Sequence, residues 1–200
     1  MGVNEKAAFF DGIADKWDGW DDLDALAEKL AAGLAGFGVR PDEHILDVGC
    51  GTGNLTLALL KILSQPGRVT AVDISPAMIR TARGKIADSR AQFHVAGAGR
   101  LPFEDAVFDR VICFSVWPHL DDHAATVREL RRVLKTGGRL HVWHLIPRSK
   151  VNEIHASAGE AVRHDLLAPA DDTAALLMDA GLSVAEIVDN QQRYLVTAVK

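Results

Sequence analysis

Apolar residues along this chain recur at two spacings, and the two take turns. Between Asp21 and Leu34 they fall at Leu23, Leu26, Ala27, Leu30 and Leu34, the three-and-four rhythm of one helical face. Gly33 and Gly36 weaken the end of that helix and Gly38 stops it. His44 to Val48 is a short apolar run cut off by glycines, which predicts a buried strand. Leu55 to Leu63 is apolar all round and predicts a buried helix. After a turn at Pro66-Gly67, Arg68 to Ile74 predicts a second strand ending on Asp73. Ser75-Pro76 then offers an N-cap and a first-turn proline for the next helix.

The alternation continues to the C-terminus. Ala91–Ala96 and Phe108–Val116 read as strands. Asp121–Lys135 is amphipathic through Val127, Leu130 and Leu134, with Gly137-Gly138 as its expected terminator. Arg139–Ile146 reads as a strand and Thr173–Ala180 as a helix closed by Gly181, before strands at Val184–Val188 and Tyr194–Val199. Repeated strand–helix units predict an α/β fold, a Rossmann-like sheet with helices on both faces and right-handed crossovers. Ligands of such sheets bind beyond the C-terminal ends of the strands, so functional residues are sought there.

Composition narrows the class. The 200 residues allow one domain, 1–200, with little room for a second. At 48% apolar and 24% charged the chain is too apolar for global disorder. With 22 basic against 27 acidic side chains, net −5, it has no surplus of cations for a wide nucleic-acid groove. No apolar run approaches a membrane span, and the opening MGVNEKAAFFDG does not read as a secretory signal. Two cysteines, Cys50 and Cys113, cannot make a disulfide framework, and a reducing cytoplasm is the expected compartment.

The sharpest chemical signal is Ile45-Leu46-Asp47-Val48-Gly49-Cys50-Gly51-Thr52-Gly53-Asn54-Leu55-Thr56. A strand runs through three alternate glycines into a helix, so a ligand can approach backbone that has no Cβ. The dinucleotide fingerprint is the nearest competitor, but Asn54 stands where its third glycine belongs and Asp47 precedes the loop. A carboxylate there disfavours a pyrophosphate and tolerates ammonium and sulfonium charges. Asp73, at the end of the second strand, is an ordinary strand-end or capping acid when read in isolation. Behind this loop it stands where an acid grips ribose hydroxyls.

With ILDVGCGTGNLT, VTAVDIS, LPFEDAVFD and ELRRVLKTGGRL in this order, the chain resembles the class I S-adenosylmethionine-dependent methyltransferases from about Phe9 to Lys200. The AFFDGIADKWD segment resembles the start of small-molecule enzymes of the quinone-biosynthesis type. The resemblance implies a seven-stranded sheet in order 3-2-1-4-5-7-6 with the last strand antiparallel. The segment 147–170, too short for a separate substrate domain, is expected to act as a partial substrate cover, and the resemblance implies an N-terminal helical segment over 1–38. It further implies S-adenosyl-L-methionine as cofactor: Gly49, Gly51 and Gly53 along its methionyl and ribose side, Asp47 behind the methionine, Asp73 on the ribose hydroxyls and Ile74 against adenine. Cys50, Gly97, Ala98 and Ser115 complete the implied set. Relatives carry an acid for the adenine amino group where this chain has Gly97, so either backbone, Arg100 or water takes its place or cofactor affinity is reduced.

Acceptor-side candidates are histidines. His119 follows the fourth strand and His144 ends the fifth; these two are the catalytic candidates, as base or orienting group. His141 faces the other side of that strand by alternation. His144, His155 and His164 match no compact metal-ligand spacing, and no metal is expected. Trp17, Trp20 and Trp117 read either as core aromatics or as an apolar wall over an acceptor, and a short helix is expected around Val151–Ala158. Ser115-Val116-Trp117-Pro118 departs from the Asn-Pro-Pro-aromatic sequence of amino-methylating nucleic-acid enzymes. The expectation is methyl transfer to a small molecule, without nucleic acid or membrane span and with oligomerisation left open. An inactive cofactor-binding module and a nicotinamide oxidoreductase are the alternatives.

Overall fold

The computed structural model describes residues 5–200, so the first four residues of the expected N-terminal segment lie outside it. Seven strands form one sheet in order β3-β2-β1-β4-β5-β7-β6. The strand β7 (Tyr194–Val199) runs antiparallel to both its neighbours, β5 (Leu134–His144) and β6 (Ser183–Asp189). This is the order and the antiparallel strand that the family resemblance implied. The chain divides into two compact units, one reaching to Gly97 and one from Ala98 to Lys200.

The first unit begins with α1 (Glu5–Ile13), a single 3₁₀ turn (Trp17–Trp20) and α2 (Leu23–Phe37). Asp22 caps α2 by accepting from the Asp24 and Ala25 amides, and Gly38 ends it in the left-handed conformation. Three strands follow with their helices: β1 (His44–Val48), α3 (Asn54–Leu60), β2 (Arg68–Asp73), α4 (Pro76–Lys85) and β3 (Ala91–Val95). All five residues of β1 are buried, as a strand covered on both faces requires. Ser75 Oγ accepts from the Met78 amide with Pro76 at the first helical position, the cap that the sequence predicts. In parallel register Val48 pairs with Val72 and Asp73 with Val95, which brings the ends of β1 and β2 level.

In the second unit β4 (Phe108–Phe114) pairs in parallel with β5; around them lie α5 (His123–Val133), α6 (Arg148–Ser157) and α7 (Ala170–Asp179), then β6 and β7. Its core holds Ile112, Leu130, Val142, Trp143, Leu177 and Tyr194. One expected boundary is wrong. Gly137-Gly138 do not end a helix: α5 stops at Val133 and the glycines lie inside β5. Gly137 donates to the Lys200 carbonyl and Gly138 accepts from the Lys200 amide. A Cβ on Gly138 would lie 3.1 Å from the Asp109 oxygen. Gly137 has φ 77°, and Gly138 has no room for a Cβ beside the Lys135 and Asp109 oxygens. The glycines thus belong to a strand whose partners lie far away in sequence, and local spacing does not register it.

Candidate functional site

In the first unit the turn after β1 is built on β2. The amides of Gly49 and Cys50 both donate to the Val72 carbonyl, at 2.8 and 3.0 Å. The next donor, the Gly51 amide, goes to Asp73 Oδ2 at 2.9 Å, while Asp73 Oδ1 accepts from the Ser75 amide at 2.8 Å. One carboxylate thus ties the glycine loop to the start of α4. Gly49, Gly51 and Gly53 all have positive φ, at 67°, 52° and 89°, a conformation that costs glycine little. Their open sides differ. A Cβ on Gly51 would lie 3.8 Å from Trp17 Nε1, whereas one on Gly53 would meet Ile86 Cδ1 at 2.7 Å. Gly53 is thus held to glycine by its φ of 89°, and a Cβ there would also push Ile86 Cδ1 aside at the end of α4, quite apart from any ligand.

Asp47 is fully buried and accepts from Thr56 Oγ1 at 2.6 Å. Burial, reinforced by the nearby Asp73 charge, pushes its carboxyl up to about 7. Cys50 is buried and donates weakly to the Gly51 carbonyl; burial, with Asp47 and Asp73 close by, pushes its thiol well up, so it is an inert wall of the loop. A Cβ on Gly97 would lie 3.7 Å from Ile74 Cγ2, ordinary contact distance, so the position has room for a side chain.

The N-terminal segment is fastened to this loop by two acids that spacing did not single out. Asp18 accepts from Thr52 Oγ1 at 2.5 Å, Asn54 Nδ2 at 3.1 Å and Lys85 Nζ at 2.7 Å. Burial works against its charge, yet these three donors outweigh it and hold the carboxyl below its ordinary value. Asp11 accepts from Ser75 Oγ and the Ala77 amide at 2.6 and 2.9 Å. Trp17 packs between Phe10 and Trp20.

In the second unit Ala98 is buried and Ser115, just past β4, is exposed. Ser115 has φ 53°, and its amide donates to the Trp143 carbonyl at 2.9 Å. A non-glycine residue held in that conformation is a common mark of a functional turn. His119 Nδ1 lies 2.8 Å from Asp165 Oδ2, and its ring stacks on that of His155 at 4.6 Å between centroids. His155 Nδ1 in turn donates to the Asp165 carbonyl at 2.5 Å. His144 is buried against Tyr194, and its Nε2 has no hydrogen-bond partner among the described residues. Burial, with His119 and His155 nearby, pushes its basicity down to about 3.

The other candidates separate. His141 is buried with Arg110 Nη1 at 2.6 Å from its Nε2 and Thr197 Oγ1 at 3.0 Å from its Nδ1. Arginine only donates, so Nε2 accepts and Nδ1 donates. His164 is exposed. Trp117 is buried and stacked on His123, a core residue of its unit. The expected short helix is present as α6.

Residues 46–142 match the methyltransferase domain family. The chain is 32% identical over 182 residues to the ubiquinone/menaquinone biosynthesis C-methyltransferase UbiE of Vibrio parahaemolyticus, covering 82% of this chain and 70% of that one. It is 34% identical over 138 residues to the demethylmenaquinone methyltransferase of Lactiplantibacillus plantarum, covering 66% of this chain and 58% of that one. Two solved structures share the fold. One is a methyltransferase from a Haloferax volcanii complex with a methyltransferase activator, with TM-score 0.76 at 21% identity over 95% of this chain and 96% of its own. The other is a SAM-dependent methyltransferase from Aquifex aeolicus, with TM-score 0.69 at 20% identity over 99% and 98%.

Proposed function

The chain belongs to the class I S-adenosylmethionine-dependent methyltransferases, and from that membership we propose that it methylates a small, hydroxylated ring. The observation that carries the cofactor half is Asp73, a strand-end carboxylate that holds the Gly51 amide with one oxygen and the Ser75 amide with the other. A carboxylate accepts about four hydrogen bonds, enough to order the loop and take a pair of ribose hydroxyls. Ile74 and Gly97 fit the adenine side. Asp47, Gly49, Cys50, Gly51 and Gly53 fit the methionyl side, and Ala98 and Ser115 complete the set implied by the family. Once bound, the cofactor supplies an electrophilic methyl group on a positively charged sulfur.

The acceptor half rests on the relatives, whose names specify C-methylation in quinone biosynthesis and methylation of demethylmenaquinone. A ring carbon becomes nucleophilic when a ring hydroxyl loses its proton, so the acceptor class calls for a base. We assign that base to His119. His144, buried against Tyr194 with its basicity pushed down to about 3, stays a neutral ring and is not that base. No described helix is long and apolar enough to cross a membrane. The two buried free thiols suit a reducing cytoplasm.

Calorimetric titration with S-adenosylhomocysteine tests the cofactor half. Asp73→Ala is expected to weaken binding about 10- to 100-fold, the loss of charge-assisted hydrogen bonds. Unchanged affinity in the folded variant overturns the assignment. Transfer of labelled methyl from S-adenosylmethionine to chemically reduced demethylmenaquinone tests the acceptor class.

A further inference from the structure

His119 and Asp165 are 46 positions apart in sequence and 2.8 Å apart in space. Both side chains are 12% exposed, close enough to solvent for a ligand to reach and shielded enough for the contact to hold its geometry. The hydrogen bond puts the His119 proton on Nδ1, because an ionised carboxylate can only accept. The ring's lone pair is thereby assigned to Nε2. Asp165 is itself held, since His155, from α6, donates Nδ1–H to its main-chain carbonyl and stacks on the His119 ring. Burial lowers the basicity of both His155 and His144. The His155 ring therefore lies against His119 as a neutral neighbour, with His144 also neutral, and of the four side chains Asp165 brings the negative charge.

We propose that Asp165 is the positioning residue for His119, fixing the tautomer that takes a proton from the acceptor's hydroxyl, and that His155 locks the pair. The inference rests on the methyltransferase reading and adds a requirement to it: the acceptor arrives as a neutral hydroxylated ring. The acceptor O–H bond breaks, its electron pair stays on oxygen, and the proton bonds to His119 Nε2. The charge delocalised onto the ring then forms the carbon–methyl bond as the methyl–sulfur bond breaks. The methylated carbon loses its own hydrogen as a proton while the oxygen regains one. The His119 imidazolium faces the Asp165 carboxylate, and its proton passes to water as product leaves. An oriented histidine–carboxylate pair serves proton abstraction in many unrelated enzymes.

Histidine side-chain ¹⁵N spectra of the full chain test the pair with no acceptor present. Wild type is expected to show His119 as the Nδ1–H tautomer, and Asp165→Ala to shift it toward Nε2–H. A wild-type His119 in the Nε2–H form overturns the proposal. In methyl transfer to reduced demethylmenaquinone, Asp165→Ala is expected to lower kcat about 10- to 100-fold with KM and cofactor affinity unchanged, and His119→Gln about 10²- to 10⁴-fold. The double variant is expected to be no slower than His119→Gln alone. Independent, multiplying losses would make Asp165 a fold support and end the proposal. Asp165→Asn keeps the volume and removes the charge, so it carries the same kinetic expectation should Asp165→Ala unfold. Failure of S-adenosylhomocysteine to bind wild type defeats the methyltransferase reading instead, and the tautomer spectra still decide the pair.

Discussion

Asp47 and Asp73 end neighbouring strands and hold their charges differently. Asp73 is met by two backbone amides, while Asp47 has the Thr56 hydroxyl and deep burial. With its folded value near 7 against an ordinary 3.8, the folded state holds a proton that the unfolded chain has lost. Stability from this group is therefore full below about pH 4 and falls as pH rises to about 7. Asp47→Asn is expected to raise stability by about 1–3 kcal/mol at pH 8 and by far less at pH 4, seen in denaturant melts. The same change is expected to weaken binding of S-adenosylmethionine, whose cationic end the carboxylate would attract in the proposed site. A variant equally stable at both pH values removes this account. At Gly97 the open space beside Ile74 gives the opposite direction. Gly97→Asp is expected to tighten cofactor binding about fivefold, one added acceptor at about 1 kcal/mol, and calorimetry showing weaker binding by a folded variant refutes it.

At the scale of elements, the N-terminal segment depends on its anchors. The helix α1 buries no residue, so hydrophobic packing alone does not fix it. Asp11 on the start of α4, and Asp18 on Thr52, Asn54 and Lys85, do so through charge-assisted bonds. Because Trp17 stands beside Gly51, loosening this segment uncovers the glycine loop. Asp18→Ala is expected to speed tryptic cleavage after Lys16 and cofactor release about three- to tenfold, with strand-core stability little changed. Stopped-flow release rates equal to wild type count against the segment as a cover.

For the whole molecule, buried histidines lower stability as the solution turns acid. An unfolded imidazole takes its proton near 6.5, but folded His144 does so only near 3. The unfolded state binds the extra proton in between, so this contribution is full above pH 6.5 and declines by about 1.4 kcal/mol per unit as pH falls toward 3. His141, lowered well below its ordinary value by burial and then by Arg110, adds in the same direction. Asp47 opposes one of the two down to about pH 4. The stability difference between pH 7.5 and 4.5 is expected to shrink by about 2–3 kcal/mol in His144→Gln. An unchanged difference shows that His144 is not the buried neutral group described.

Local chemistry in the sequence was enough for the strand–helix alternation, the Ser75-Pro76 cap, the glycine loop and the acid at the end of β2. Each is specified by neighbours a few positions away, through periodicity, capping or φ preference. The sheet order and its antiparallel strand came from the family resemblance, since strand pairing is not a local property. Tertiary structure alone decided the rest. Gly138 answers to Asp109, Gly53 to Ile86, Asp18 to Lys85 and His119 to Asp165. Four histidines that look alike in the chain diverged for the same reason. Burial leaves His141 and His144 neutral, His164 stays in solvent, and a carboxylate 46 residues away orients His119. Basicity and tautomer depend on the dielectric and the partner at each ring, and both are fixed by residues far away in sequence.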